Sequence, residues 1–565
     1  MAIKLLVIGG VAGGATAAAR ARRLDERAKI VLFERGEHIS FANCGLPYYI
    51  GEVIKNRNDL LVTTARKLGE RYNIDIRIFT EVVSIDPIKK LVQAKNLRTG
   101  EIYNESYDKI ILAPGAEPVR PSLDGVDLGT IFNLRNIPDS DRIKAYVDEK
   151  KPGLAIVVGG GYIGLEMAEN LVNRGVKTII LEMLDQVMAP LDYEMVAIVH
   201  AYLKERGLKL ELENSAKSFS KKGNRTIVST SKGYDIECDM VILSIGVRPE
   251  NKLAKAAGLK VGERGGIRVD STMRTSDPDI FAVGDAVEIR DFISGQLTST
   301  ALAGPANKQG RIAADNALGR RSLFKGTLGT AIVKIFDMTV ASTGASEKLL
   351  KRNNIPYMVS YTHSGSHASY YPGAELIAMK LVFSPGSGKV LGAQIVGKEG
   401  VDKRIDVLAT AIRGNMTVYD LEELELAYAP PYSSAKDPVN IAGFVASNIL
   451  KGDVENIYWN EIGDLNRHEI TFIDLRNKDE LDKAGMIEGA LHIPLNELRA
   501  RLPELDKQKR YIAYCAVGQR AYMGHRILVQ NGFKSRNLSG GYRTYLGAKE
   551  KIMKESPETR LWLSE

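Results

Sequence analysis

The sequence predicts an α/β chain of several domains, on three observations. Two glycine turns each stand between a buried-strand pattern and a helix, a stretch after Gly329 puts strands ahead of helices, and a short α/β pattern near the C-terminus leads into Cys515. At 565 residues, and roughly 100 to 200 residues per domain, about three to five domains are expected. Hydrophobic residues make up 44% of the chain and charged residues 26%, which allows large cores and excludes disordered and fibrous classes. The net charge of +8 is spread thinly, with no basic block suited to nucleic acid. Met1 to Gly9 reads as a strand entering a turn, not as a signal peptide. No apolar run reaches the roughly 20 residues of a membrane span. Three dispersed cysteines make no disulfide scaffold, and seven scattered histidines with no cysteine cluster argue against a metal site. The expectation is a cytoplasmic protein without nucleic-acid or membrane partners.

The first strand, Lys4 to Ile8, runs into Gly9-Gly10-Val11-Ala12-Gly13-Gly14, then an alanine-rich helix from Ala15 to about Leu24. A second strand, Ile30 to Phe33, ends at Glu34. This is a dinucleotide fingerprint: Gly9 and Gly14 let bare backbone approach a pyrophosphate, the helix dipole favours it, and Glu34 holds a ribose. Val11 replaces the middle glycine, so by itself the turn also reads as a tight strand–helix junction. The second copy is complete. Strand Leu154 to Val158, then Gly159-Gly160-Gly161-Tyr162-Ile163-Gly164, then strand Thr178 to Leu181 ending at Glu182, place Gly159, Gly161, Gly164 and Glu182 at a second nucleotide. Glu182 would accept from a free 2′-hydroxyl and repel a 2′-phosphate, and no Arg or Lys follows from Met183 through Tyr193. NADH is favoured over NADPH. Both units are Rossmann-like, and two of them in one chain suggest electron relay between two cofactors.

Cys44 stands in Ser40-Phe41-Ala42-Asn43-Cys44-Gly45-Leu46-Pro47-Tyr48, with no second cysteine until Cys238. A lone cysteine beside a redox cofactor must take its second sulfur, or an oxygen, from the substrate. At a helix start its pKa would be lowered. Cys238, between Glu237 and Asp239, should have a raised pKa and a structural role. Arg20 and Arg23 share a helix face, whereas Arg22 reads as solvated surface.

These motifs, in this order, resemble the pyridine nucleotide-disulfide oxidoreductases that carry two dinucleotide domains. The resemblance implies FAD and NADH as cofactors. It assigns Asp285, in Ile280 to Ala286, to the flavin ribityl chain, and reads Ile111 to Ala116 and Leu243 to Pro249 as crossovers out of the nucleotide domains. It divides the chain into an FAD domain at 1–118 and 251–325, an NAD(P)H domain at 119–250 and an α+β dimerisation domain at 326–452, hence a homodimer. In that last region the sequence shows strands at Thr330 to Phe336, Leu376 to Phe383 and Val390 to Val396, then a helix from about Arg404 to Arg413.

Within the family, Tyr49 occupies the place of the second cysteine of glutathione-reductase-like members. Val11 and Ala12 stand where flavin NADH peroxidases and oxidases carry a histidine. The Cys44 segment is similar to that of coenzyme A-disulfide reductases and NADH-dependent persulfide reductases. That likeness implies coenzyme A persulfide, coenzyme A disulfide or polysulfide as substrate. It implies a tyrosine pair, Tyr370 and Tyr428, from the partner subunit, with Tyr371 and Tyr432 as the competing choices. It also implies a coenzyme A site at Thr16, Arg20, Arg23, Ser40, Asn43 and Lys436.

Residues 453–468 read as a polar linker. Thr471 to Arg476, Gly485 to Pro494 and Tyr511 to Arg520 then resemble a rhodanese domain, at 469–560, in which Cys515 carries sulfane sulfur and Arg520 adds a cation. Backbone N–H groups around such a loop stabilise a thiolate or persulfide. Two other readings stand beside this one: an NADH oxidase with an incidental rhodanese domain, and a sulfur-carrier module docking a partner protein.

Overall fold

Apolar runs of four or five residues, bounded by glycine turns, become the centres of two parallel sheets. The computed structural model describes residues 2–466 and 469–555; residues 467–468 of the expected linker and 556–560 of the expected last domain lie outside them. The described residues form two compact units, 2–187 with 207–329, and 188–206 with 330–466 and 469–555.

In the first unit one sheet runs Ile280–Ala282, Lys109–Leu112, Lys4–Ile8, Lys29–Phe33, Asp75–Arg77, all parallel. It draws its strands from both sides of residues 119–250. The second sheet, Lys209–Glu211, Lys177–Leu181, Leu154–Val158, Met240–Leu243, Ile131–Asn133, is also parallel. In both, the strand before the glycine turn is central and the next strand in sequence lies beside it. That order opens a crevice at the carboxyl ends of the strands, over the turn. The Ala12–Leu24 helix packs on the Ala303–Ala317 helix so closely that a Cβ on Gly310 would stand 2.3 Å from the Gly13 carbonyl oxygen.

In the second unit a five-stranded antiparallel sheet, Ala331–Ile335, Met338–Gly344, Val390–Gly397, Leu376–Phe383, Met358–Gly365, is covered by the Val401–Arg413 and Pro438–Leu450 helices. A parallel sheet of Asn456–Ile457, Lys534–Leu538, Arg510–Tyr514, Ile470–Asp474 and Leu491–His492 follows. Two expectations change here. The segment read as a linker supplies that sheet's edge strand, Asn456–Ile457, because Ile457, Trp459 and Ile462 are apolar enough to be buried. Residues 188–206, expected within the NAD(P)H domain, fold into the second unit. Apolar and charged contacts both hold them there: Met195, Val196, Val199 and Leu203 are buried, and their helix packs on the Val390–Gly397 strand. Asp192 and Glu194 meet the fully buried ammonium of Lys380, shared with Glu347, and the Asp192 backbone N–H donates to Gln394 Oε1 at 2.9 Å. Three carboxylates close enough to share an ion thus have an ammonium among them. Among the described residues no helix is long and apolar enough to cross a membrane.

Candidate active site

The two glycine turns are built alike. Gly9 and Gly159 lie at φ +102° and +105°, where L side chains are strained. Each donates its N–H to the strand beside it, to Phe33 and Leu181. A Cβ on Gly14 would stand 1.8 Å from the Gly9 oxygen, and one on Gly164 2.1 Å from the Gly159 oxygen, so both must be glycine for the helix to start there. Glu34 accepts from the Gly10 N–H at 2.9 Å and the Gly36 N–H at 2.7 Å. Glu182 accepts from the Gly160 N–H at 2.6 Å and the Leu184 N–H at 2.9 Å. Gly161, by contrast, faces open space. Its counterpart Val11 is therefore compatible with the protein's own backbone, which explains why that departure leaves the turn intact.

Cys44 sits in a short 3₁₀ turn, Asn43–Gly45, ahead of the Leu46–Ile50 helix. That helix packs on the Tyr162–Asn173 helix of the second glycine turn, and Arg174 Nη1 donates to the Ile50 carbonyl at 2.9 Å. Two carboxyls thereby come to face the cysteine: Glu166, and Asp285 in the Gly284–Ala286 turn. The thiol remains open to solvent on one side, yet the expected low pKa does not result. Packing around it pushes the pKa up, and the charges of Glu166 and Asp285 push the same way. A five-residue helix adds too little dipole to offset them. Glu166 itself is pushed up to about 7 by burial, then by Glu169, against the hydrogen bond from Tyr48 Oη at 3.5 Å. Asp285 is also raised by burial, with Arg135 opposing; among the described residues its carboxylate makes no side-chain hydrogen bond.

The expected coenzyme A residues are placed unevenly. Thr16 donates to Asn307 Oδ1 at 2.6 Å, and Arg20 forms an ion pair with Asp315 at 2.7 Å. Arg23 lies over the Tyr72 ring, Ser40 adopts φ 48°, and Asn43 donates to the Arg135 carbonyl at 3.4 Å. These five belong to the first unit and the exposed Lys436 to the second. Arg22, expected on a solvated face, is buried and donates to five carbonyls, those of Asp25, Glu26, Ala28, Tyr72 and Asn73. Its fork satisfies the end of its own helix and a neighbouring loop, which sequence spacing does not reveal. Cys238 is buried, and burial followed by Asp239 pushes it up to about 12.

In the second unit the structure brings together Tyr370 and Tyr428, whose hydroxyls share a 2.6 Å hydrogen bond while both residues remain exposed. Arg404, only 1% exposed, ties their loops: it donates to the Ser366 carbonyl at 2.8 Å, to Ser433 Oγ at 3.2 Å and to Asp437 at 2.9 Å. Cys515 ends the Arg510–Tyr514 strand, is fully buried, and accepts from the Gly518 N–H at 3.2 Å. The loop is held from behind, where a Cβ on Gly541 would stand 2.5 Å from the Cys515 oxygen and the Tyr542 N–H donates to that oxygen at 2.7 Å. Arg520 lies within reach of the sulfur and is gripped by Glu480 through two bonds of 2.6 Å.

Sequence reasoning missed Glu166, Arg404 and Glu480. Glu166 and Glu169 are one turn apart on the fingerprint helix, a readable signal for a like-charge pair; nothing local distinguishes the other two.

Comparison with known proteins places these features. Residues 3–310 match the pyridine nucleotide-disulphide oxidoreductase family, 330–438 its dimerisation domain, and 458–548 the rhodanese-like domain. A coenzyme A disulfide reductase of Staphylococcus haemolyticus is 36% identical over 447 residues, 79% of this chain and all of that protein. The crystal structure of reduced Bacillus anthracis CoADR-RHD superposes with TM-score 0.95 at 50% identity, over 98% of this chain and 99% of that one. A NAD-dependent persulfide reductase from A. fulgidus gives TM-score 0.90 at 36% identity, over 96% and 100%.

Proposed function

The chain belongs to the pyridine nucleotide-disulphide oxidoreductase family and carries a rhodanese-like domain, and from that premise we propose that it reduces coenzyme A persulfide, polysulfide or coenzyme A disulfide at Cys44, with Cys515 handling sulfane sulfur. The observation that carries this reading is the lone thiol of Cys44, in the same unit as two fingerprint turns and without a second cysteine beside it. The domain assignment follows as a proposal: 1–118 with 251–325 for FAD, 119–187 with 207–250 for NADH, 326–452 for dimerisation, and a rhodanese domain beginning at the Asn456 strand. The match to a dimerisation domain at 330–438 supports a homodimer.

The residues fit the proposed cofactors. Asp285 is a half-buried acid without a hydrogen-bond donor among the described residues, suited to the hydroxyls of a ribityl chain. Gly9, Gly14 and Glu34 leave a bare turn for one dinucleotide, and Gly159, Gly161, Gly164 and Glu182 for another, with the Glu182 carboxylate favouring a free 2′-hydroxyl. When bound, the flavin and nicotinamide supply the two electrons. The Cys44 thiolate attacks the sulfane or disulfide sulfur of the substrate, a Cys44–sulfur bond forms, and the other sulfur leaves as thiolate. Two-electron reduction of that bond restores the Cys44 thiolate and releases the attached sulfur as sulfide or as the coenzyme A thiolate. Glu166, poised near neutrality, can hold or release a proton beside the thiol. Thr16, Arg20, Arg23, Ser40, Asn43 and Lys436 are assigned to coenzyme A. The phenols of Tyr370 and Tyr428, supplied by the partner subunit of the proposed homodimer, are assigned to hydrogen-bond the leaving thiolate.

Anaerobic NADH oxidation with each of the three sulfur substrates tests the reading. Cys44→Ser should remain yellow with bound flavin and lose turnover by at least about a thousandfold, the order expected when a covalent nucleophile is removed. Turnover that tracks oxygen and ignores all three substrates would support the oxidase reading instead.

A further inference from the structure

A short loop follows Cys515. Ala516, Val517, Gly518 and Gln519 carry no charge. The nearby cation, Arg520, is held at both guanidinium ends by the two carboxylate oxygens of Glu480, each at 2.6 Å. The pair is only part-exposed, with side chains 28% and 29% accessible. Arg520 holds Glu480 down to about 2, so the carboxylate is charged throughout the working range. Arg476, at the same end of the sheet, is buried and matched by Asp474 at 2.6 Å. Arg543, whose backbone N–H donates to the Ala516 carbonyl at 3.0 Å, is exposed and adds a further cation next to the loop; for the rest an anion meets backbone, the N-terminus of the Gln519–Gln530 helix and loop N–H groups such as that of Gly518. They present about half a positive charge, suited to one negative charge on sulfur but not to a dianion approaching a thiolate.

We propose that Glu480 sets the donor class of the Cys515 site: by holding Arg520 in a two-point ion pair it offsets the charge of the cation that reaches Cys515, directing Cys515 to the sulfane sulfur of an organic persulfide and away from dianionic donors such as thiosulfate. The inference rests on the sulfur-handling reading above. In the favoured step the Cys515 thiolate attacks the outer sulfur of R–S–SH. A Cys515 Sγ–S bond forms, the R–S–S bond breaks, and the pair of electrons leaves on the R–S thiolate; the sulfane atom changes partner without net oxidation. With thiosulfate the same displacement releases sulfite, and the extra charge must be carried beside the loop, where Arg520 is already engaged. Glu480 acts through Arg520 and is a positioning residue.

Glu480→Gln is a clean perturbation. Glu480 also closes a capping box, accepting from the Asn477 N–H at 3.0 Å at the start of the Lys478–Ala484 helix, and glutamine serves that role equally. The full-length holoprotein carrying Cys44→Ser would be mixed in single-turnover experiments with thiosulfate or with 2-hydroxyethyl persulfide, and sulfur on Cys515 followed by mass spectrometry. The original residue at 480 should favour the persulfide. Glu480→Gln should raise the thiosulfate rate about tenfold or more, as expected for freeing a cation beside the reacting sulfur, and change the persulfide rate less than about twofold. Glu480→Gln with Arg520→Gln should return the thiosulfate rate to its starting value or below. An unchanged ratio of donors, an equal gain with both, or a gain that survives loss of Arg520 would overturn the proposal. If Cys515 gains sulfur from neither donor in any variant, the sulfur-handling reading itself falls, and this inference with it.

Discussion

Replacing Glu166 by glutamine should make the protein more stable at alkaline pH while altering the chemistry of Cys44. Burial moves this carboxyl from an ordinary value of 4.5 to about 7, which disfavours its charged form in the folded state by about 3 kcal/mol. Between those two values the folded protein keeps a proton that the unfolded chain releases. The contribution of Glu166 is therefore complete below about pH 4.5, falls as pH rises, and is about 3 kcal/mol lower above 7. Glutamine keeps the shape and the Tyr48 contact but does not titrate. Denaturant unfolding of both proteins without added pyridine nucleotide should give a stability difference that moves in favour of Glu166→Gln by about 2 to 3 kcal/mol between pH 5 and pH 8. Because the Glu166 charge also pushes the Cys44 pKa up, after burial itself, alkylation of Cys44 should gain its thiolate reactivity at lower pH in the variant. A pH-independent stability difference, or an unmoved alkylation profile, would refute the placement of a neutralisable carboxyl beside Cys44.

Arg404→Met should cost about 3 to 5 kcal/mol by denaturant midpoint, since it leaves Asp437 buried and uncompensated; a loss below about 1 kcal/mol would contradict the pairing. Burial opposes the lowered pKa of Asp437, but Ser433, the Val439 N–H and Arg404 outweigh it, so the pair's contribution holds above the ordinary carboxylate range and is lost as pH falls through the lower folded value. At the second glycine turn, Gly161→Ala should leave thermal stability within about 1 °C, because its Cβ meets nothing within 4 Å, yet weaken NADH binding measured by calorimetry. Gly164→Ala should lose both stability and binding, because its Cβ would stand 2.1 Å from the Gly159 oxygen; equal behaviour of the two variants would show that the turn is not read by a pyrophosphate.

Much of the site was legible because its signals are local. Gly9, Gly14 and Glu34, and Gly159, Gly164 and Glu182, declare themselves within about thirty residues, since a tight turn, a helix start and the acid after the next strand are consecutive features of one βαβ unit. Cys515 with its loop is legible for the same reason. Tyr370 and Tyr428 were named through family resemblance, and their hydrogen bond spans 58 positions. The misreadings have a common origin. Arg22 carries the sequence signature of a solvated helix face but closes on five carbonyls, and residues 453–468 look polar on average although Ile457, Trp459 and Ile462 are the ones that pack.

By itself, then, the sequence determined the backbone chemistry: where chain must turn without a side chain, which acids end which strands, and that Cys44 has no cysteine partner. Only the tertiary structure decided the charge states around those groups. It raised rather than lowered the Cys44 pKa, brought the Glu166 pKa to about 7, matched Arg520 with Glu480, and joined the 188–206 segment to Lys380. Turn geometry depends on adjacent residues, whereas the energy of a charge depends on water removed and on partners that any part of the chain can supply.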